Sequence, residues 1–333
     1  MQPADANHAP APEPLLEIRG LRMHITTADG IVQAVDGVDL SIGTGEIVGL
    51  VGESGSGKSM TSRTVVGLLP PGGAVLEGQI LFKGRDLLRL RDPEMRRIRG
   101  AEISFIFQNP STFLNPVLRI GDQIAETVKL HQGVRRAKAR QLAVEALRDV
   151  GLRSPEQLCE AYPHQLSGGM LQRVMIAMAL SCEPALLIAD ECTTELDVTT
   201  QLQILELLRH AAEAKGCALL LITHNLGVVA HMCERVYVMY AGRVAEAAGV
   251  MEAFDTPRHP YTEGLLRATL SAEAAEASFA SISGSVPDLV APPHGCRFHP
   301  RCGKAMDRCR IEVPAARSVG AGQRVACFLY EGD

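Results

Sequence analysis

The chain has 333 residues, a formal net charge of −5, 46% apolar residues and no tryptophan. That length suits one large domain or two unequal ones with a sizeable core. The negative balance argues against general nucleic-acid binding, and 4% aromatic residues leave few platforms on which bases could stack.

The Ala- and Pro-rich stretch 1–14 lacks the apolar segment of a signal peptide and reads as a disordered tail. Alternating apolar residues predict antiparallel strands at 15–25 and 35–42. A buried strand at 46–51 runs into a Gly-rich turn and then a helix at 60–69, stopped by Pro70-Pro71-Gly72-Gly73. A short strand at 79–82 precedes a turn at Lys83-Gly84. From about 110 to 180 the pattern is mostly helical. The apolar stripe of its 135–150 segment packs inward, and Arg135, Arg136, Lys138 and Arg140 form a solvated face. A strand at 185–189, a helix at 200–215 closed by Gly216, and strands at 217–222 and 236–240 restore an α/β alternation, which implies a mainly parallel sheet. No apolar run approaches the roughly 20 residues of a spanning helix, so a soluble, intracellular protein is expected. Prolines crowd the sequence after residue 255, where a domain boundary is placed: 15–255 as the main domain and 256–333 as an extension.

The segment Gly52-Glu53-Ser54-Gly55-Ser56-Gly57-Lys58-Ser59 fits the phosphate-loop pattern GxxxxGK[ST] between a strand and a helix. Its glycines let backbone N–H groups turn toward phosphate oxygens, and the helix N-terminus adds positive charge. Lys58 is placed to bridge the β- and γ-phosphates and Ser59 to ligate Mg²⁺. By itself the motif suits any nucleoside triphosphatase. The strand ending in Asp190-Glu191 puts two carboxylates where parallel sheets gather ligands: Asp190 for Mg²⁺, Glu191 to orient or deprotonate water. Gln108, after the apolar run 103–107, is a candidate contact to Mg²⁺ or water, and His224, ending a strand, a candidate contact to the γ-phosphate.

Leu166-Ser167-Gly168-Gly169-Met170 opens a helix and offers a second phosphate-binding turn. It resembles the signature motif of ABC ATPases, in which the signature of one cassette closes over the γ-phosphate held by another. The order of the remaining motifs between residues 52 and 224 is similar to the same family. Gln108 matches the Q-loop, Asp190 and Glu191 the Walker B acids, Thr194-Glu195-Leu196-Asp197 the D-loop, and His224 the switch histidine. The resemblance implies a P-loop α/β fold with an antiparallel β subdomain, a helical subdomain and a small Cys-containing extension. It also implies ATP hydrolysis driven by dimerisation of two cassettes. Three positions depart from the pattern: Glu195 in place of a small residue, Cys192 in place of proline, and no adenine-stacking aromatic near Ile25.

In the extension, His259-Pro260-Tyr261-Thr262 and Gly295-Cys296-Arg297-Phe298-His299-Pro300-Arg301-Cys302 resemble the tail of oligopeptide and dipeptide importer ATPases, a subfamily that includes nickel importers. The expected partners are then two membrane permease subunits, a second ATPase (a related chain or another copy), and, indirectly, an extracytoplasmic binding protein. The chain is expected at the cytoplasmic face of the membrane, without nucleic acid. A nickel importer ATPase of the same subfamily, a non-hydrolysing regulatory subunit and a soluble ABC ATPase acting on nucleic acid are the alternatives. Cys296, Cys302, Cys309 and Cys327 are spaced C-x5-C-x6-C-x17-C, which does not match the usual opening of a zinc site. Four thiolates in longer loops can enclose a 4Fe-4S cluster, and the resemblance implies one here; zinc and unligated thiols are the other readings.

Overall fold

The strands with the most continuous apolar runs stand at the centre of the structure, because both their faces are covered. The computed structural model describes residues 13–194, 196–273, 282–320 and 322–331. The expected tail therefore lies almost wholly outside the described residues, as does Glu195. The chain opens with β1 (Leu16–Thr27), β2 (Gly30–Ile42), β3 (Ile47–Val51), α1 (Lys58–Val65), β4 (Gly73–Phe82), β5 (Arg85–Asp86), α2 (Asp92–Ile98) and β6 (Ile103–Ile106). A helical stretch follows: α3 (Pro110–Phe113), α4 (Ile120–Gln132), α5 (Arg136–Asp149), α6 (Pro155–Glu160) and α7 (Gly168–Leu180). Then come β7 (Leu186–Asp190), α8 (Val198–Lys215), β8 (Ala218–Thr223), α9 (Leu226–Met232), β9 (Arg235–Tyr240), β10 (Arg243–Gly249), α10 (Val250–Asp255) and α11 (Pro260–Glu273). Two short strands close the chain, β11 (Arg317–Ser318) and β12 (Arg324–Val325).

Among the described residues the strands form two sheets, ordered β2-β1-β4-β5 and β11-β12-β10-β9-β3-β8-β7-β6. The first is antiparallel throughout. In the second, β9, β3, β8, β7 and β6 run parallel, and β10, β12 and β11 extend it antiparallel. Side chains alternate across the parallel strands. Val48, Leu50, Ile188, Leu220 and Ile222 face the core shared with the antiparallel sheet. Leu187, Ala189, Leu219 and Leu221 face the core shared with the helices, where Ile124, Ala143, Leu147, Ile176 and Leu208 are buried. A third core joins β9 and β10 to the extension through Val238, Tyr240, Tyr261 and Phe298.

The expected α/β architecture is borne out, with shifts at element ends. Helix α1 starts at Lys58 and is stopped early, at a turn where Gly67 has φ +64°. Strand β4 begins at Gly73 because it pairs with β1 along its whole length, although its outer residues are exposed. Gly216 closes α8 in the left-handed region, φ +61°, as the sequence predicts. The basic face of α5 is solvated, and Arg140 pairs with Asp122 and Glu160. No helix among the described residues is long and apolar enough to cross a membrane.

The extension is pinned by a buried carboxylate. Glu246 on β10 accepts from the backbone N–H of Arg258 and of His259, both at 2.8 Å, and from the Gln323 side chain at 3.0 Å. His259 is buried, which lowers its imidazole to a pKa of about 4 and keeps it neutral, and Nδ1 accepts from the Tyr261 N–H.

The central row Val48, Leu220 and Ile188 is paired in register and Leu220 is fully buried. Leu220→Ala is expected to lower unfolding free energy by about 2–5 kcal/mol, read as a shifted urea midpoint with an unchanged slope.

Candidate active site: the phosphate loop and the acidic strand end

The phosphate loop leaves β3 and curls before α1. Gly52 has φ +151° and Gly57 φ +98°. A Cβ on Gly52 would stand 2.2 Å from the Met239 carbonyl oxygen, and one on Gly57 2.4 Å from that of Ala34. The loop lies directly on β9 and β2, so these two positions accept only glycine. Ser56 is buried, and its carbonyl accepts from the Gly242 N–H at 2.9 Å. Ser54 and Gly55 are exposed at the loop tip.

Lys58 folds back into the loop. Its Nζ donates to the carbonyls of Gly52 (2.8 Å) and Glu53 (2.9 Å). Burial lowers its pKa, against the pull of Glu191, Asp190 and Glu53. Ser59 Oγ donates to Asp190 Oδ1 at 2.8 Å. Asp190 closes β7 and is almost fully buried. Burial raises its pKa, opposed by the Ser59 hydrogen bond and by Arg63, whose Nη2 lies 3.7 Å away. Arg63 has no place in the sequence motifs, although its spacing of four from Ser59 puts both on one face of α1.

Glu191, Gln108 and His224, far apart in sequence, meet at one carboxylate. Gln108 Nε2 donates to Glu191 Oε2 at 3.3 Å, and His224 Nδ1 lies 3.7 Å from Oε1. Glu191 has φ +47°, a conformation that costs a non-glycine residue about 1–3 kcal/mol. Its N–H donates to the Ile222 carbonyl at 3.0 Å, and its own carbonyl accepts from Thr194 Oγ1 at 3.0 Å. These bonds hold the turn that swings the carboxylate out of line with β7. Cys192, next along the turn, is buried, and its thiol is pushed up to about 12 by desolvation.

The hydroxyl of Ser59 and the carboxylate of Asp190 are adjacent hard oxygen donors, and they fit a Mg²⁺ ion. Ser167 caps α7, its Oγ accepting from the Met170 N–H at 3.4 Å, and it is exposed together with Gly168. Among the described residues no hydrogen bond or ion pair joins 167–169 to 52–59.

The expected iron–sulfur centre is corrected. Among the described residues no group of three or more His, Cys, Asp or Glu side chains stands where it could hold a metal ion. The four cysteines line one cavity of about 10 Å³, walled also by His259, Phe298 and Phe328. That space holds about one water molecule. Burial pushes the Cys296 thiol up to about 11 and raises those of Cys302 and Cys327. The same finding removes zinc and leaves thiols, Cys309 buried and the other three half-buried, with Cys296 and Cys302 packed against the third core.

Two residues of the extension reach the phosphate loop from behind: Tyr261 and Arg301 both contact Glu53. Each lies within a stretch that the sequence singles out, yet nothing local gives either a role.

A family model described as ABC transporter matches residues 35–194, and one described as oligopeptide/dipeptide transporter, C-terminal region, matches 245–309. The chain is 49% identical over 320 residues to the oligopeptide transport ATP-binding protein AppD of Bacillus subtilis, covering 96% of this chain and 98% of that one. It is 46% identical over 319 residues to the dipeptide transport ATP-binding protein DppD of Escherichia coli, with the same coverage. Among solved structures it is similar to the ATP-binding cassette MJ0796 in a dimeric post-hydrolysis state bound to ADP and Pi. That match has a TM-score of 0.64 and 29% identity, and covers 71% of this chain and 98% of the other.

Because burial raises the Asp190 pKa above its ordinary 3.8, its charged form is less favourable in the folded chain than in the unfolded one. The resulting cost to stability is complete above the folded-state pKa and disappears as pH falls below 3.8. Asp190→Asn is therefore expected to raise the melting temperature of the nucleotide-free protein at neutral pH. The gain should vanish in acid, while Mg²⁺-dependent ATP binding is lost; calorimetry across pH and nucleotide titration measure the two effects.

Proposed function

The chain belongs to the family of ATP-binding subunits of oligopeptide and dipeptide ABC transporters, and from that premise we propose that it hydrolyses ATP to drive peptide import through separate permease subunits. The observation that carries this reading is the meeting of Gln108 and His224 on the Glu191 carboxylate, beside the Ser59–Asp190 pair.

In this reading the backbone of residues 52–59 wraps the phosphates. Lys58 exchanges its two carbonyl partners for β- and γ-phosphate oxygens. Ser59 and Asp190, with Gln108 in reach, would hold a Mg²⁺ ion, which would supply neutralisation of charge on those oxygens. Glu191 holds a water in line with the γ-phosphorus and takes its proton as the new P–O bond forms and the bond to the bridging oxygen breaks. His224 stands beside Glu191 to steady the γ-phosphate. The Ser167-Gly168-Gly169 turn faces outward and serves the site of a second cassette, a related chain or another copy. Closure of the two cassettes completes the site and excludes water. The working position is peripheral, at the cytoplasmic face of the membrane, against two permease subunits fed by an extracytoplasmic binding protein. Domain limits of 15–255 and 256–333 fit this division of labour, with the helical subdomain at about 110–180 carrying the signature turn.

Glu191→Gln keeps the size and the Gln108 contact and removes the base. Hydrolysis by the assembled transporter is expected to fall by roughly 100-fold or more, with ATP-bound cassette dimers accumulating in light scattering. Unchanged turnover would remove Glu191 from the catalytic role.

A further inference from the structure

Glu53 belongs to the phosphate loop, and its side chain is gripped by the extension. The Arg301 guanidinium meets the Glu53 carboxylate with two prongs, Nη1 to Oε2 at 2.7 Å and Nη2 to Oε1 at 3.0 Å. The remaining donors of Arg301 are also committed, to the carbonyls of Ile282 and Ser283, both at 3.0 Å, and to the Tyr240 hydroxyl at 3.3 Å. Its side chain is only 5% exposed. The Tyr261 hydroxyl accepts from the Glu53 N–H at 2.9 Å. Tyr261 is held in turn by the rings of Tyr240 and Phe298, with centroids 4.6 and 5.3 Å away. The Glu53 carbonyl is one of the two acceptors for Lys58 Nζ. From Arg301 to the phosphate-binding lysine there is thus a single intervening residue.

Two physical effects follow from this clasp. A glycine-rich loop held from behind loses less freedom when a triphosphate binds. A carboxylate beside a polyanion also repels it unless a cation sits on that carboxylate. Glu53 is the acid of the loop, and Arg301 is that cation.

We propose that Arg301 and Tyr261 are positioning residues for nucleotide, through which the C-terminal extension sets the affinity of the phosphate loop for ATP. The inference rests on the reading that residues 52–59 bind triphosphate. It adds that 256–333, beyond any contact with transport partners, is a working part of the nucleotide site.

The test is equilibrium binding of Mg²⁺-ATP to the full purified chain. Arg301→Gln is expected to weaken binding by roughly tenfold or more, the scale of a lost charged hydrogen bond. Adding Glu53→Gln to Arg301→Gln should restore affinity toward wild type, because the uncovered carboxylate is then gone; a purely structural loss would deepen instead. Arg301→Lys, which keeps the charge and loses the fork, should fall between. Tyr261→Phe removes one hydroxyl from a packed ring and should cost several-fold; it carries the test if Arg301→Gln does not fold. Affinity within twofold of wild type for Arg301→Gln, or for Tyr261→Phe in its place, overturns the proposal, as does a double variant weaker than the single. Wild-type protein that binds no ATP overturns the underlying reading as well, and so the two failures are told apart.

Discussion

Lys58 keeps 4% of its surface in solvent, and an ammonium so placed needs partners on every side. Two carbonyls supply the near ones, those of Gly52 and Glu53. Asp190 and Glu191 supply the countercharge. Aiming both carbonyls at one amine requires the loop to curl in conformations open to glycine, and the curl brings its backbone against the carbonyls of Met239 and Ala34. The loop is thus wedged between β9 of the central sheet and β2 of the antiparallel one. Asp190 obeys the same logic with the sign reversed. Each group is destabilised by burial and steadied by the other, so stability is spent on a site kept ready for charge.

The parts of this arrangement that could be read from the sequence are those written in consecutive residues. The loop 52–59, the pair Asp190-Glu191 and the turn 167–169 each carry their chemistry within a few positions, and the structure seats each at the end of a strand or the start of a helix. The continuous apolar runs of β3, β7 and β8 and their alternation with helices likewise placed the parallel core. Strand β4 was only half visible, because its exposed first residues are held by pairing with β1 and not by burial. The Arg301–Glu53 clasp, which spans 248 positions, could not be seen at all: a single arginine has no periodicity and announces no partner.

The four-cysteine tail shows the opposite failure. Spacing along the chain says how much loop lies between sulfurs and nothing about the volume they enclose. Among the described residues the four sulfurs do not come together as a metal-holding group; they line one small cavity with Phe298, Phe328 and His259, and the thiols remain small apolar packing groups. What ties the extension down is instead a set of charges turned inward: Glu246 upon backbone donors, Arg297 upon Asp36, and Arg301 upon Glu53. The last two join the extension to β2 and to the phosphate loop, so two regions matched by separate family models share one electrostatic framework.

The pairing of β12 with β10 has a further meaning. Residues 245–247 of β10 give their outward backbone groups to 324–326. Without that cover the central sheet would end in a bare row of donors and acceptors, the template on which strands of neighbouring molecules add. The extension therefore also covers part of the sheet's edge. A chain cut short before residue 324 would leave 245–247 of β10 open for pairing with another strand.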